Sequence, residues 1–241
     1  MLPIGDQNPT RTRPYVNYLL ILANVIAFVW QYLLTSTGGE AWIVAGYGLV
    51  PVRFANDPLG EAFTLFTSMF MHGGIGHLVF NLLYLHIFGD NVEDAMGHIK
   101  YLVFYLACGV AAGLVQVGVD PGSTVPMVGA SGAIAGALGG YIVLYPRAPI
   151  TVLNPIPFLW LFFGLFLVLP AWLVIGLWFG GNLMSGLAEL GEMESGGVAF
   201  FAHIGGFVAG MLTVRGFVLG RQRADRYSNF TPAPPRVYYR R

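Results

Sequence analysis

Met127-Val128-Gly129-Ala130-Ser131-Gly132-Ala133-Ile134-Ala135-Gly136-Ala137-Leu138-Gly139-Gly140 is the stretch on which the fold turns. Gly132, Gly136 and Gly140 recur every four residues, which sets them on one face of a helix. Small residues at that spacing let a second backbone come close, as helices do when they associate in lipid. One serine, Ser131, stands near the start of the pattern. A serine in such a helix also bonds its own helix carbonyl, so the stretch alone reads equally well as a packing helix with an incidental hydroxyl. The rest of the chain separates these readings.

Of 241 residues, 56% are hydrophobic and only 10% charged, with a mean hydropathy of +0.66; soluble domains carry roughly 25% charged residues. No Asp, Glu, Lys or Arg occurs from Tyr101 to Val119 or from Ala148 to Ala188. Water cannot solvate such runs, so the fold class is an all-α polytopic membrane protein. Zero net charge leaves no electrostatic footprint for nucleic acid. The single Cys108 excludes a disulfide framework and reads as a packed thiol. Residues 1–15, with Pro3, Pro9, Pro14, Arg11 and Arg13, form a polar lead at the surface or disordered, without a signal-cleavage pattern.

Six transmembrane helices follow in a bundle spanning 16–220: 18–34, 76–88, 99–117, 131–145, 168–182 and 200–219. The acidic cluster Asp90 to Asp94 ends the second. Residues 35–75 read as a long, partly embedded loop with short helices, whose Trp42, Tyr47, Phe54, Phe63, Phe66 and Phe70 suit the membrane interface. Residues 150–166 read as an interfacial or re-entrant piece, and 183–198 as an exposed loop. The tail 221–241 is basic and expected to be disordered. Arg11, Arg13, Lys100, Arg147 and the arginines from Arg215 onward fall on one side, with Arg53 alone opposite. Both termini are therefore expected in the cytoplasm.

In this topology the second, fourth and sixth helices begin at the outer face. At about 1.5 Å per residue, Ser131 lies roughly 24 Å above Arg147, His203 roughly 27 Å above Arg221, and His77 roughly 20 Å above Asp90. All three share the outer half of a core about 30 Å thick. His203 opens the sixth helix in Ala202-His203-Ile204-Gly205-Gly206. An ionisable residue there marks function by default, the plain alternative being an imidazole bonded to a backbone carbonyl. Gly206 and Gly210 would let this helix approach the Gly132/Gly136 face, bringing His203 within reach of Ser131 as an activated nucleophile requires. His77 and Asn81, four apart on one face of the second helix, both donate hydrogen bonds, which suits a developing oxyanion. Asn in lipid also serves as interhelical glue.

His72 is expected to order the loop, and His86 and His98 to be structural or interfacial. There is no H-E-x-x-H and no second cysteine, so no metal and no cofactor is expected. Asp90, Glu93 and Asp94 lie at the wrong end of the second helix to orient His203. A hydrolase built on these residues would use a dyad, its imidazole oriented by packing on Tyr141 or another aromatic of the fourth or sixth helix.

These motifs in order resemble the rhomboid family of intramembrane serine proteases, bacterial members in particular. The likeness rests on Gly129-Ala130-Ser131-Gly132, on Ala202-His203-Ile204-Gly205-Gly206 and on His77-Leu78-Val79-Phe80-Asn81. The flanks Phe88 to Asp94 and Ser123 to Val128 add to it. The resemblance implies Ser131 as nucleophile and His203 as general base, with an oxyanion held by the Ser131 backbone N–H, Asn81 and His77. Gly129, Gly132, Gly136, Gly206 and Gly210 would support close packing. The fifth helix and the 183–198 loop would act as gate and cap, with Phe80 and Trp178 as gate or pocket residues. Substrates would be single-span membrane proteins cut near the outer face of a bacterial inner membrane.

One departure is the first loop: Glu61-Ala62-Phe63-Thr64-Leu65-Phe66-Thr67 lacks the Trp-Arg pair common in the family, which puts its anchoring in question. Two rival readings have distinct signatures. A non-catalytic helix-binding relative would lack Ser131 or His203. A small transporter or channel would carry intramembrane carboxylates along its pathway.

Overall fold

The computed structural model of the chain describes residues 2–35, 40–154, 156–189 and 199–218. Strand β1 (Leu2–Asp6) precedes the long helix α1 (Tyr15–Leu34). The first loop holds three short helices, α2 (Glu40–Tyr47), α3 (Pro51–Asn56) and α4 (Thr64–Thr67). Helices α5 (Ile75–Met96), α6 (His98–Val119) and α7 (Ser131–Leu144) follow. Strand β2 (Pro149–Leu153), the short helix α8 (Trp160–Phe163) and strand β3 (Phe166–Pro170) lead into α9 (Ala171–Glu189) and α10 (Phe200–Val218). Helices α1, α6, α9 and α10 are long and apolar enough to cross a membrane, and α7 is a shorter apolar helix. The chain is an all-α polytopic membrane protein that carries one small sheet.

Helix α7 is the central element. Its 14 residues span about 21 Å, less than a hydrocarbon core of about 30 Å. Every position from Gly132 to Tyr141 is buried, so protein rather than lipid surrounds it. Its glycines meet backbone directly. A Cβ on Gly206 would lie 2.0 Å from the Gly132 carbonyl oxygen, and one on Gly210 would lie 2.0 Å from that of Gly136. A Cβ on Gly139 would lie 2.1 Å from the Phe207 oxygen. On the other side α6 closes in: Cβ atoms on Gly132 and Gly136 would stand 2.6 Å from that of Ala112 and 2.3 Å from that of Cys108.

Helix α5 continues through the acidic cluster expected to stop it. The buried carboxylate of Glu93 accepts the N–H groups of Val16 at 3.0 Å and Asn17 at 2.7 Å, the orphan donors of the first turn of α1. His98 Nδ1–H donates to the same group at 2.5 Å. Asp94 Oδ1 accepts from the Thr12 hydroxyl at 2.7 Å. The acids end the neighbouring helix's need for partners, and their own helix runs on to Met96.

The piece at 150–166 is a hairpin. Strands β1, β2 and β3 form an antiparallel sheet in that order, with Leu2 opposite Leu153 and Leu153 opposite Phe166. The β-branched run Ile150-Thr151-Val152 suits a strand, and Ile150 and Val152 are fully buried. The N-terminal lead is thus partly strand. Helix α9 begins at Ala171 and extends to Glu189, well into the segment read as loop; residues 190–198 and the basic tail lie outside the described residues.

The first loop has its own anchor in place of the missing Trp-Arg pair. Arg53 forks onto Glu61 at 2.6 and 2.7 Å through Nη2 and bonds the Ala45 carbonyl. Gln31 of α1 clasps the backbone of His72 from both sides, at 2.7 and 3.0 Å.

Two outcomes follow from this packing. Gly210→Ala should lower thermal stability in detergent by about 1–3 kcal/mol through overpacking, whereas Gly216→Ala, with nothing within 4 Å of its new Cβ, should leave it equal or higher; paired melting curves check this. Asp6 accepts a 2.6 Å bond from the Tyr141 hydroxyl, and burial, opposed by that bond, raises its pKa from 3.8 to about 7. The folded state then holds this proton more tightly than the unfolded chain. Its contribution is fullest below the unfolded value and declines as pH rises toward about 7. Melting curves across that window should show this decline in wild type and lose it in Asp6→Asn.

Candidate active site

The segment that delivers Ser131 is tied down before the helix begins. Leu49 and Met127 exchange backbone hydrogen bonds at 3.0 and 2.8 Å, and the Val52 N–H donates to the Ser123 carbonyl at 3.0 Å. The Gly129 N–H donates to the Ser68 carbonyl at 2.9 Å. The first loop therefore holds the approach to the serine on three points. Gly129 takes φ +122°, a left-handed conformation that favours glycine. A Cβ there would lie 2.7 Å from His77 Nε2 and 3.5 Å from Asn81 Nδ2. Gly129 is thus a turn residue against two side chains of α5, where a helix-packing role was expected.

Ser131 is the first residue of α7, so its N–H is among the donors that a helix leaves without an intrahelical partner. Its hydroxyl oxygen lies 2.7 Å from His203 Nε2, within hydrogen-bond distance. His203 is 9% exposed. Asn81 is 6% exposed, and its Nδ2 has no partner among the described residues. The surrounding cavity has a volume of about 1140 Å³, and its lining includes Ser131, His203, His77, Asn81, Phe80 and Trp178. Gln116, Asp120, Ser123 and Thr124 give its rim polar atoms.

The structure brings Ser131, His203, Asn81 and His77 to one cavity from three helices. Gly132, Gly136, Gly206 and Gly210 form the α7–α10 contact beneath it. Phe80 is 55% exposed, and Trp178 packs against the imidazole, ring centroids 5.7 Å apart. His72 lies behind His77 at 5.2 Å between ring centroids. Burial first, then the neighbouring His77, lowers the His72 pKa to about 4, so it is neutral near pH 7.

Tyr141 does not orient His203. It lies toward the other end of α7, bonded to Asp6 and edge-on to Phe88. The group that meets the imidazole is Asn182 of α9, whose Oδ1 is 2.5 Å from His203 Nδ1. Sequence reasoning passed over Asn182, the last residue of the expected fifth helix at 168–182. The available signal was an amide in a run without charges, since such groups in lipid find a partner. Among the described residues, no group of three or more His, Cys, Asp or Glu side chains is placed to hold a metal.

The family model for the rhomboid domain matches residues 59–221. The chain belongs to the rhomboid family. It is 33% identical over 137 residues to rhomboid protease GluP of Bacillus subtilis (strain 168), covering 56% of this chain and 26% of that protein. It is 26% identical over 198 residues to rhomboid protease GlpG of Salmonella typhi, covering 81% of this chain and 60% of that protein. The matched part is thus about a quarter of GluP and about three-fifths of GlpG.

The turn that leads into Ser131 has a direct test. Gly129→Ala forces both an unfavourable φ and a clash with His77, so it should destabilise the fold by about 1–3 kcal/mol. Circular dichroism melts against wild type measure the loss, and an unchanged midpoint would contradict a left-handed turn packed against His77.

Proposed function

We propose that this chain is an intramembrane serine endopeptidase that cleaves single-span membrane proteins near the outer face of the membrane. The observation that carries the reading is the 2.7 Å bond from the Ser131 hydroxyl to His203 Nε2, placed in a cavity among membrane helices. In this reading Ser131 Oγ attacks a peptide carbonyl while His203 Nε2 takes its proton. The oxyanion settles among the Ser131 N–H, the unpartnered Asn81 Nδ2 and His77. The C–N bond then breaks, and His203 returns the proton to the departing amine. Water deacylates Ser131 by the same route, with His203 again accepting and then returning a proton.

Hydrolysis needs water at membrane depth, and the polar rim of the cavity supports its entry. Helix α9 serves as the gate, with Phe80 and Trp178 at the mouth. Arg11, Arg13, Lys100, Arg147 and Arg215 at the end bearing the sheet support an orientation with both termini in the cytoplasm, in a bacterial inner membrane.

An alkyl fluorophosphonate, with a single-span model substrate alongside, tests the reading. Wild type should label and cleave, and Ser131→Ala and His203→Ala should do neither. Asn81→Ala should acylate roughly 10²–10³-fold more slowly, the usual effect of losing one oxyanion donor. A folded wild type silent toward both in lipid would instead favour a non-catalytic protein that binds membrane helices.

A further inference from the structure

We infer that Asn182 is a positioning residue that selects the tautomer of His203, turning the expected dyad into a three-membered hydrogen-bond chain. The inference rests on the reading of Ser131 and His203 as nucleophile and base. Three bonds carry it. Asn182 Nδ2 donates to the Trp178 carbonyl of its own helix at 2.8 Å. That bond uses the amine end of the amide and leaves the oxygen facing His203, 2.5 Å from Nδ1. An amide oxygen only accepts, so Nδ1 carries the proton. A neutral imidazole has one N–H, which leaves the lone pair on Nε2, the atom that accepts from Ser131 at 2.7 Å.

The chain of donors therefore runs Ser131 to His203 to Asn182, with each proton assigned by the partner beyond it. Among the described residues, no carboxylate lies within ion-pair distance of His203. An amide orients the ring without placing a charge in a buried, low-dielectric site, where an ionised group is costly. Trp178 stands one helical turn before Asn182 and packs against the same ring. One face of α9 thus supplies both the hydrogen bond and the wall that hold the base. The same residues tie the imidazole to α9 itself: any displacement of α9 away from α10 breaks the Asn182 bond.

The test uses the whole 241-residue chain in lipid and the alkyl fluorophosphonate as probe, separating the maximal phosphonylation rate kinact, with fluoride as leaving group, from the apparent probe affinity KI. Asn182→Leu removes the acceptor while keeping the same branched outline of heavy atoms, and Asn182→Asp keeps an acceptor oxygen. Asn182→Leu should lower kinact about 10- to 100-fold, the scale seen when an outer partner that orients a functional imidazole is lost. KI and the melting midpoint should stay within about twofold and a few degrees, and Asn182→Asp should recover most of kinact. Full kinact in Asn182→Leu, or a loss in Asn182→Asp as deep as in Asn182→Leu, overturns the positioning role while leaving the serine hydrolase reading intact. Failure of wild type itself to label overturns both.

Discussion

Backbone touches backbone where α7 meets α10, and the site depends on that contact. The carbonyl oxygens of Gly132 and Gly136 occupy the space that side chains on Gly206 and Gly210 would need. No hydrophobic driving force favours this in lipid, where tails are as apolar as leucine. Close van der Waals packing and polar bonds do the work there. Two successive contacts one turn apart fix both the separation and the axial register of the two helices. With that register set, Ser131 at the head of α7 and His203 near the head of α10 have little freedom in how they meet.

Polar groups in this protein sit where a backbone or a ring needs a partner. Glu93 satisfies the first turn of α1, Gln31 the backbone at His72, and Arg53 with Glu61 the fold of the first loop. Each bond gives a backbone or side-chain group a partner within the protein. The chain through Asn182 follows the same rule in the cavity, where the bonded groups are the imidazole and the hydroxyl. Asn81 Nδ2 is one of several buried polar atoms that find no partner among the described residues, and it is the one that lines the cavity with Ser131 and His203. An orphan donor in a cavity holding a serine and a histidine is what an anionic transition state requires.

Much of this was legible in the residues. Long runs without charge announced the membrane, glycines every four residues announced close helix pairs, and Ser131, His203, His77 and Asn81 stood out as polar groups at comparable depth. Two features were not legible, for separate reasons. Asp90 to Asp94 looked like a helix stop because acids at a membrane boundary usually face water, yet Glu93 is fully buried under α1. The stretch 150–166 hid its strands because uniform apolarity erases the alternation that marks a half-buried strand.

The sequence by itself determined the class of the protein, the order of its helices and the residue types able to do acyl chemistry, because hydropathy and spacing are local properties. Only the tertiary structure decided what orients the imidazole. Tyr141 and Asn182 were both available along the chain, and nothing in their local sequence says which one reaches His203. Tyr141 lies toward the far end of α7 with Asp6, while α9, joined to α7 through the hairpin, brings Asn182 back beside α10. Contacts between helices distant in sequence arise from packing, and so does the proton assignment that follows from them.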